Sequence, residues 1–378
     1  MPIVELGDIC EFLDYRRKPV SEELRKSGPY PYYGANGQQG WIDSYIFDEP
    51  LVLLAEDGGH FGSATKSIAY KISGKTWVNN HAHVLRPGAE CDIDYLTHAL
   101  SFYDVSKLIG GTTRPKLTKG NAEVIKLPLP DLPEQKQIAG RLEQADRLRR
   151  TRRYALELSD TFLPAAFLEL FGDPITNEKG WNVAPLGDAC VDRNGIKAGP
   201  FGSSLKKDTY SSSGIRVYGQ EQVIAGDFSV GDYYISERMF EDFAAYEVKP
   251  GDVLISLVGT FGRVVVVPGG IERGIINPRL LKISPKPSAL DSTFLARLIE
   301  HPITQRELLR MSHGGTMGIL NAGLLRELRI ILPPLSTQQH FAALVARHER
   351  LDASQREALR QADHLFESLL YQSFTASI

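Results

Sequence analysis

Two runs, the first of them glycine-rich, concentrate side chains able to hydrogen-bond a nucleobase: Tyr32-Tyr33-Gly34-Ala35-Asn36-Gly37-Gln38-Gln39 and Asn79-Asn80-His81-Ala82-His83. Asn and Gln match the two polar atoms of an adenine edge, Arg and Lys those of guanine, and Ser or Thr either. Tyr33, Asn36, Gln38, Asn80, His81 and His83 are therefore candidate readers, with His60 (in Gly58-Gly59-His60-Phe61-Gly62) and Lys66 between the two runs. The segment Gly110 to Lys119 places Thr112, Arg114, Lys116 and Lys119 just beyond a helical stretch, a layout suited to phosphates. A second set follows the same plan: Lys197, Ser203, Ser204, Lys206 and Lys207, then Tyr218-Gly219-Gln220, Asn277, Arg279, His313 and Thr316. His81 and His83 could ligate a metal, but no third ligand is near in sequence, so a hydrogen-bonded loop pair is the better reading and no metal is expected.

Enzyme motifs fail when tested. Gly74-Lys75-Thr76 has the tail of a phosphate-cradling loop, but Ala69 stands where the first glycine belongs. Pro130-Asp131-Leu132-Pro133-Glu134-Gln135-Lys136 mimics a nuclease motif, yet those carboxylates lie at the start of a helix rather than on neighbouring strands. Asn277-Pro278-Arg279-Leu280 opens like the Asn-Pro-Pro-aromatic run of an amino-methylating enzyme and then departs. No catalytic residue is expected in this chain.

The elements that position these loops come in two copies. Val4-Glu5-Leu6-Gly7-Asp8-Ile9-Cys10 returns as Ala184-Pro185-Leu186-Gly187-Asp188-Ala189-Cys190, an offset of 180. Phe61-Gly62 returns as Phe261-Gly262 (offset 200), Asp92-Ile93-Asp94-Tyr95-Leu96 as Asp291-Ser292-Thr293-Phe294-Leu295 (offset 199), and Gly110-Gly111-Thr112 as Gly314-Gly315-Thr316. The change of offset assigns some twenty extra residues to the second copy, near Lys197 to Gly214. Short β-type runs alternate with turns in each copy, and an amphipathic helix is predicted near Asp94 to Ile109, with its counterpart at Ser292 to Met311. Each copy ends in a long helix. Its seam is read at Ile138, Arg141, Ala145, Leu148, Arg152, Ala155, Ser159, Phe162 and Ala166, and 203 residues later at Phe341, Leu344, His348, Leu351, Gln355, Ala358, Ala362, Leu365 and Leu369. Pro133 suits a first helical position, Ser336 with Gln339 has the form of a capping box, and Pro164 should kink or end the first helix. Arg147, Arg149, Arg150, Arg152 and Arg153 read as a solvated or partner-binding face.

The chain has 378 residues, 42% apolar and 24% charged, with a net charge of −3, so disorder is excluded and nucleic-acid binding must come from local patches. No apolar run approaches a membrane span, the first residues show no secretory signal, and Cys10, Cys91 and Cys190 are too few for a disulfide scaffold or a four-cysteine zinc site. A cytoplasmic protein without membrane contact is expected.

With its two variable domains alternating with two long helices, each introduced by a Leu-Pro, Pro-rich, Glu/Gln run (Leu127 to Gln137, Ile331 to Gln339), the chain resembles the specificity subunits of type I restriction–modification systems. Tyr33-Gly34-Ala35-Asn36-Gly37, Asn79-Asn80-His81-Ala82-His83 and the Gly-Gly-Thr elements also look like this family. One departure is Thr337, where an acidic residue is expected before Gln338. The resemblance implies a mixed α/β (α+β) fold. Target-recognition domains would occupy 1–130 and 180–333, and helices 131–172 and 334–378 would form an antiparallel coiled coil with pseudo-two-fold symmetry. It further implies a non-catalytic subunit that reads one half of a bipartite site on double-stranded DNA with each domain and directs adenine methylation and cleavage. The partners would be two methyltransferase subunits and restriction/translocase subunits, carrying S-adenosylmethionine, ATP and Mg2+; the chain itself would hold no cofactor. Two other classes stay open on the residues alone: a self-sufficient DNA methyltransferase or nuclease, and a coiled-coil scaffold without DNA binding.

Overall fold

The computed structural model describes residues 2–63, 66–111, 115–192, 195–201, 204–205, 207–257, 263–312 and 321–374, with only the backbone of Lys207 and Ser312. Contacts divide the chain into two compact units, Met1–Ala155 with Gln355–Ile378, and Leu156–Ser354.

In the first unit, β1 (Ile3–Glu5), the one-turn helix α1 (Leu6–Ile9) and β2 (Cys10–Phe12) lead into the hairpin β3 (Tyr30–Gly34) and β4 (Gly37–Ile42). Strands β5 (Phe47–Asp48), β6 (Leu51–Ala55), β7 (Ala69–Ile72), β8 (Lys75–Val78) and β9 (Ala82–Pro87) follow, then helices α2 (Ile93–Ser101) and α3 (Lys119–Glu123) and strand β10 (Lys126–Pro128). Two four-stranded sheets result, β2-β9-β6-β7 and β4-β3-β8-β5. β6 is buried along its whole length because its alternating side chains feed different cores: Val52 and Leu54 meet Leu85 and Leu96, while Leu51 and Leu53 meet Phe47 and Val84. β1 pairs antiparallel with β10, so the first and last strands of the module close against each other.

The long helix α4 (Leu132–Asp160) and α5 (Phe162–Phe171) then lead to the second unit. It contains β11 (Asn182–Pro185), β12 (Ile196–Ala198), β13 (Ile215–Tyr218), α6 (Gln220–Ala225), β14 (Tyr234–Ile235), α7 (Glu237–Phe243), β15 (Val253–Ser256), β16 (Val264–Val266), β17 (Gly274–Ile276) and β18 (Leu280–Ile283). Helices α8 (Ser292–Glu300), α9 (Pro302–Ser312) and α10 (Ala322–Glu327), strand β19 (Arg329–Leu332) and the 40-residue helix α11 (Leu335–Phe374) complete it. The frame repeats: sheet β12-β18-β15-β16 answers β2-β9-β6-β7, the parallel pair β13/β17 answers β3/β8, and β11 closes on β19 as β1 does on β10. The divergence lies after β13, where α6 fills the connection to its antiparallel neighbour β14 and α7 follows, whereas β3 turns tightly into β4. The extra residues thus fall here rather than near Lys197 to Gly214 as expected. The mixed α/β class is as expected, but the two predicted amphipathic helices are each shorter: α2 stops at Ser101, and α8 and α9 are separate. Both α2 and α8 start on the repeated aspartate, whose carboxylate accepts from two backbone N–H groups (Asp92 from Asp94 and Tyr95, Asp291 from Thr293 and Phe294).

Residues 132–155 and 355–374 of the long helices belong to the first unit, 156–160 and 335–354 to the second. Within the first, Leu142 and Ala145 pack on Phe366, and Arg152 reaches Gln355. Within the second, Ser159 Oγ lies 2.9 Å from His348 Nε2, and Phe167 and Phe171 pack on Phe341. Partner numbers fall as residue numbers rise, so the segments run antiparallel in each unit. Half of the expected seam holds: Ile138, Ala145, Arg152 and Ser159 on one helix, Phe341, His348, Gln355 and Ala362 on the other, all face inward. The other stripe sits one residue later than expected, at Leu142, Arg149 and Leu156 and at Val345, Asp352 and Phe366, leaving Leu148, Leu351 and Leu365 exposed. The cause is a cation in the seam. Arg149 lies 3.9 Å over the Phe366 ring and pairs with Asp146, so its apolar stem packs where a leucine was anticipated. Arg153 pairs with Asp363 and Arg152 with Gln355 on the other helix, which makes most of this arginine cluster part of the helix pairing, while Arg150 pairs with Asp146 on its own helix.

The helix starts also shift. Asp131 accepts from the Glu134 N–H as N-cap, which puts Pro133 second rather than first. α11 begins at Leu335 with the Pro334 carbonyl accepting from Gln338, so Ser336 lies inside the first turn instead of capping it. The break in the first helix falls at Thr161, which places Pro164 in the first turn of α5, where a missing N–H costs nothing.

Candidate nucleic-acid interface

The first module brings the ends of β3 and β6 and the start of β9 to one tip. Asn79 shapes it. Its backbone N–H donates to Tyr33 O, its Oδ1 accepts from the His81 N–H at 2.8 Å, and its Nδ2 donates to Gln39 Oε1 at 3.0 Å. A Cβ on Gly34 would fall 2.4 Å from the Gln39 amide and 2.8 Å from that of Asn79, so any side chain there would displace this pair. Asn36 donates to Gly58 O, and His81 Nδ1 meets Asp57 Oδ1 at 2.7 Å. Arg25 stacks over Tyr32 at 3.8 Å and closes one side. Together they line a cleft of about 510 Å³ that also includes Asn80. Asn36, Asn80 and His81 therefore converge as expected, with Gln38 and Tyr33 beside them on the β3–β4 hairpin. Arg25, Gln39 and Asp57 are additions; Gln39 stood in the motif itself, whereas nothing in the spacing marks Arg25 or Asp57.

His83 is a correction. It is fully buried on β9, with Nδ1 2.6 Å from Asp14 Oδ2 and Nε2 2.9 Å from Leu117 O, so it cannot reach a ligand. Nor does it pair with His81, because the two histidines hold different acids, Asp57 and Asp14. Asp14, Glu56 and His83 lie close enough to suggest a metal site. Each is instead satisfied within a buried ion network, Glu56 by Arg17 at 2.5 Å and Lys116 at 2.9 Å. Burial would raise the Asp14 carboxyl, but the hydrogen bond and charge of His83 outweigh it and hold it below its ordinary value. Glu56 is likewise held low, with Arg17 and Lys116 outweighing burial. Lys116 thus flanks the cleft, its backbone bridging Asp57. Lys119 opens α3 beside Glu123 and over Phe12. His60 is half-buried and Lys66 exposed on the segment after β6.

In the second module Asn277 repeats Asn79: its N–H donates to Tyr218 O and its Oδ1 accepts from the Arg279 N–H at 2.8 Å. Gln220 donates to Ser256 Oγ at 2.6 Å, and Arg279 is exposed. Tyr218 is a second correction, fully buried with its hydroxyl donating to Glu272 O, a core residue rather than a contact. Lys197 is a third. It stacks 4.8 Å over Tyr246 in a separate cavity that includes Asp252 and Lys282. Ser204 is exposed, while Thr112, Arg114, Ser203, Lys206, His313, Thr316 and the side chain of Lys207 lie outside the described residues.

One knot appears in both modules. Gln135, fully buried, accepts from the Asp92 N–H and donates to Glu90 O and Pro130 O; Gln338 accepts from the Asp291 N–H and donates to Ala289 O and Pro333 O. The contact depends on the glutamine, so the change from exposed Glu134 to Thr337 leaves it untouched. No helix among the described residues is long and apolar enough to cross a membrane.

Known proteins share this frame. A relative from Haemophilus influenzae, named a type I restriction enzyme specificity subunit, is 30% identical over 361 residues, covering 94% of this chain and 89% of its own length. The MjaVIII specificity subunit of Methanocaldococcus jannaschii is 22% identical over all of this chain and 92% of its own. The crystal structure of a type I S subunit from M. genitalium matches with a TM-score of 0.62 at 14% identity, over 99% of this chain and 96% of that one, which shows a common fold. The sequence signature of the type I restriction modification DNA specificity domain matches residues 1–158 and again 179–361, and the chain belongs to the family of type I restriction–modification specificity subunits.

Proposed function

We propose that this chain is the DNA-reading, non-catalytic subunit of a type I restriction–modification complex, each module reading one half of a bipartite site. The observation that carries this is the pair of tips built on one hydrogen-bonded frame, Asn79 and Asn277 in equivalent turns, with different side chains mounted on it. Two copies of one reader with unlike surfaces suit a site with two unlike halves. Lys116 and Lys119 in the first module, with Arg114, supply phosphate contacts that fix register without reading sequence. Two readers joined by long helices suit a site whose halves are separated by an unread spacer. Two methyltransferase subunits and the restriction/translocase subunits bind S-adenosylmethionine, ATP and Mg2+ and perform adenine methylation and cleavage in the cytoplasm. The recognition domains span 1–130 and 180–333, and the helices 131–172 and 334–378.

The test is to map methylated adenines in cells carrying this chain with its neighbouring methyltransferase. A bipartite motif with two different halves, lost when the gene is deleted, is expected. Methylation that persists without the chain, or a single continuous motif, overturns the reading. S-adenosylmethionine binding by the chain alone would favour a self-sufficient methyltransferase.

A further inference from the structure

The repeat can be aligned bond by bond, and the alignment singles out one position. In module one Tyr32 and Tyr33 pair with Trp77 and Val78, in module two Val217 and Tyr218 pair with Ile275 and Ile276, and the next residue is Asn79 or Asn277. Each asparagine spends its Oδ1 on the N–H two residues later, that of His81 or Arg279. The carbonyl of that same residue then accepts from the end of the neighbouring strand, His81 O from Glu56 and Arg279 O from Leu257. Three independent bonds thus make His81 and Arg279 equivalent, although their local sequences share only the asparagine. The tyrosine and asparagine before them are consumed by the frame, and the residue that follows is Asn80 in one module but Pro278 in the other, so the position of His81 and Arg279 is the first to offer a polar side chain in both.

The two side chains differ in what they can offer. His81 is fixed by Asp57, which takes Nδ1 and leaves Nε2 without a partner among the described residues. Arg279 is exposed and makes no ion pair among the described residues. The run after β15, Leu257-Val258-Gly259-Thr260-Phe261-Gly262, contains no acid to hold it. We propose that His81 and Arg279 are the corresponding specificity-determining residues of the two half-sites. Arg279 donates its guanidinium fork to O6 and N7 of a guanine in one half, and His81 accepts through Nε2 from a base amino group, adenine N6 or cytosine N4, in the other. The assignment rests on the DNA-reading function proposed above.

The test uses the full chain assembled with its methyltransferase, its mapped duplex, and a set of duplexes each changed at one base pair. Arg279→Ala should lose discrimination, roughly five- to hundredfold, at a single G·C pair of one half-site and keep it elsewhere. His81→Ala should do the same at one pair of the other half-site. Discrimination retained at every pair, or lost in both halves at once, overturns the assignment. Should Arg279→Ala bind no duplex, Arg279→Lys decides. Lysine keeps the charge and can still reach guanine O6 and N7, so affinity regained with guanine preferred at that one pair supports the proposal, and no regain, or regain with no base preferred there, overturns it. A wild-type complex with no bipartite preference would instead sink the underlying function.

Discussion

Gln135 and Gln338 tie each long helix to the module behind it with one buried amide, satisfying one backbone donor and two carbonyls. Replacing Gln338 by Leu strands those groups, and we expect the unfolding transition of the second unit to lose about 3 kcal/mol, measured by urea denaturation against wild type. A smaller effect than an ordinary surface substitution would show that the knot is incidental. Asp14 and Glu56 carry a different signature. Both are held below their ordinary values, so the stability they contribute is complete above about pH 4.5 and is lost as pH falls through their folded-state range. Asp14→Asn should flatten the acid limb of the stability–pH curve of the first unit; an unchanged limb would remove the network from the account. At this scale the sequence spoke through residue type and fell silent on burial. Asn36, Asn80 and His81 were legible because runs of polar side chains, beside glycines in the case of Asn36, belong at a loop tip. His83 and Tyr218 were not, since a histidine two positions on and a tyrosine before a glycine look the same whether they face DNA or a core.

Repeated elements were legible because the same closing strands, capping aspartates and helix-start glutamines recur in order. The helix seam was only half legible, since spacings of three then four and of four then three differ by one residue, and Arg149 and Asp352 occupy the stripe that would have decided it. One connection open to exchange runs between β12 and β13. Those strands are core, with Ile196 and Val217 buried, and Gly199 cannot change because a Cβ would meet Asn277 O at 1.8 Å. An exchange of residues 200–213 with those of a relative that keeps an apolar side chain at Leu205, which is packed in the core with Ile215 and Val217, therefore spares the frame. We expect it to alter one half-site in a methylation map and leave the other intact; a change in both halves would refute modular reading.

The whole molecule tests the helices as a ruler. α11 has 40 residues and is about 60 Å long at ~1.5 Å per residue. Facing contacts at Arg152–Gln355 and Ser159–His348 show where to lengthen both helices together: four residues after Ala155 and four after Asp352. About 6 Å of added helix should widen the preferred spacer by one or two base pairs without altering either half-site. An unchanged spacer in a fully active complex would mean that something other than these helices sets the distance. The strand pairs β1/β10 and β11/β19 carry a consequence for ancestry. Because each module is left at the place where it was entered, its interior can be replaced, enlarged or shuffled between genes without disturbing the joint. A lineage can therefore acquire a new address by recombination in one exchange, keeping its assembly machinery, rather than by a slow succession of point changes.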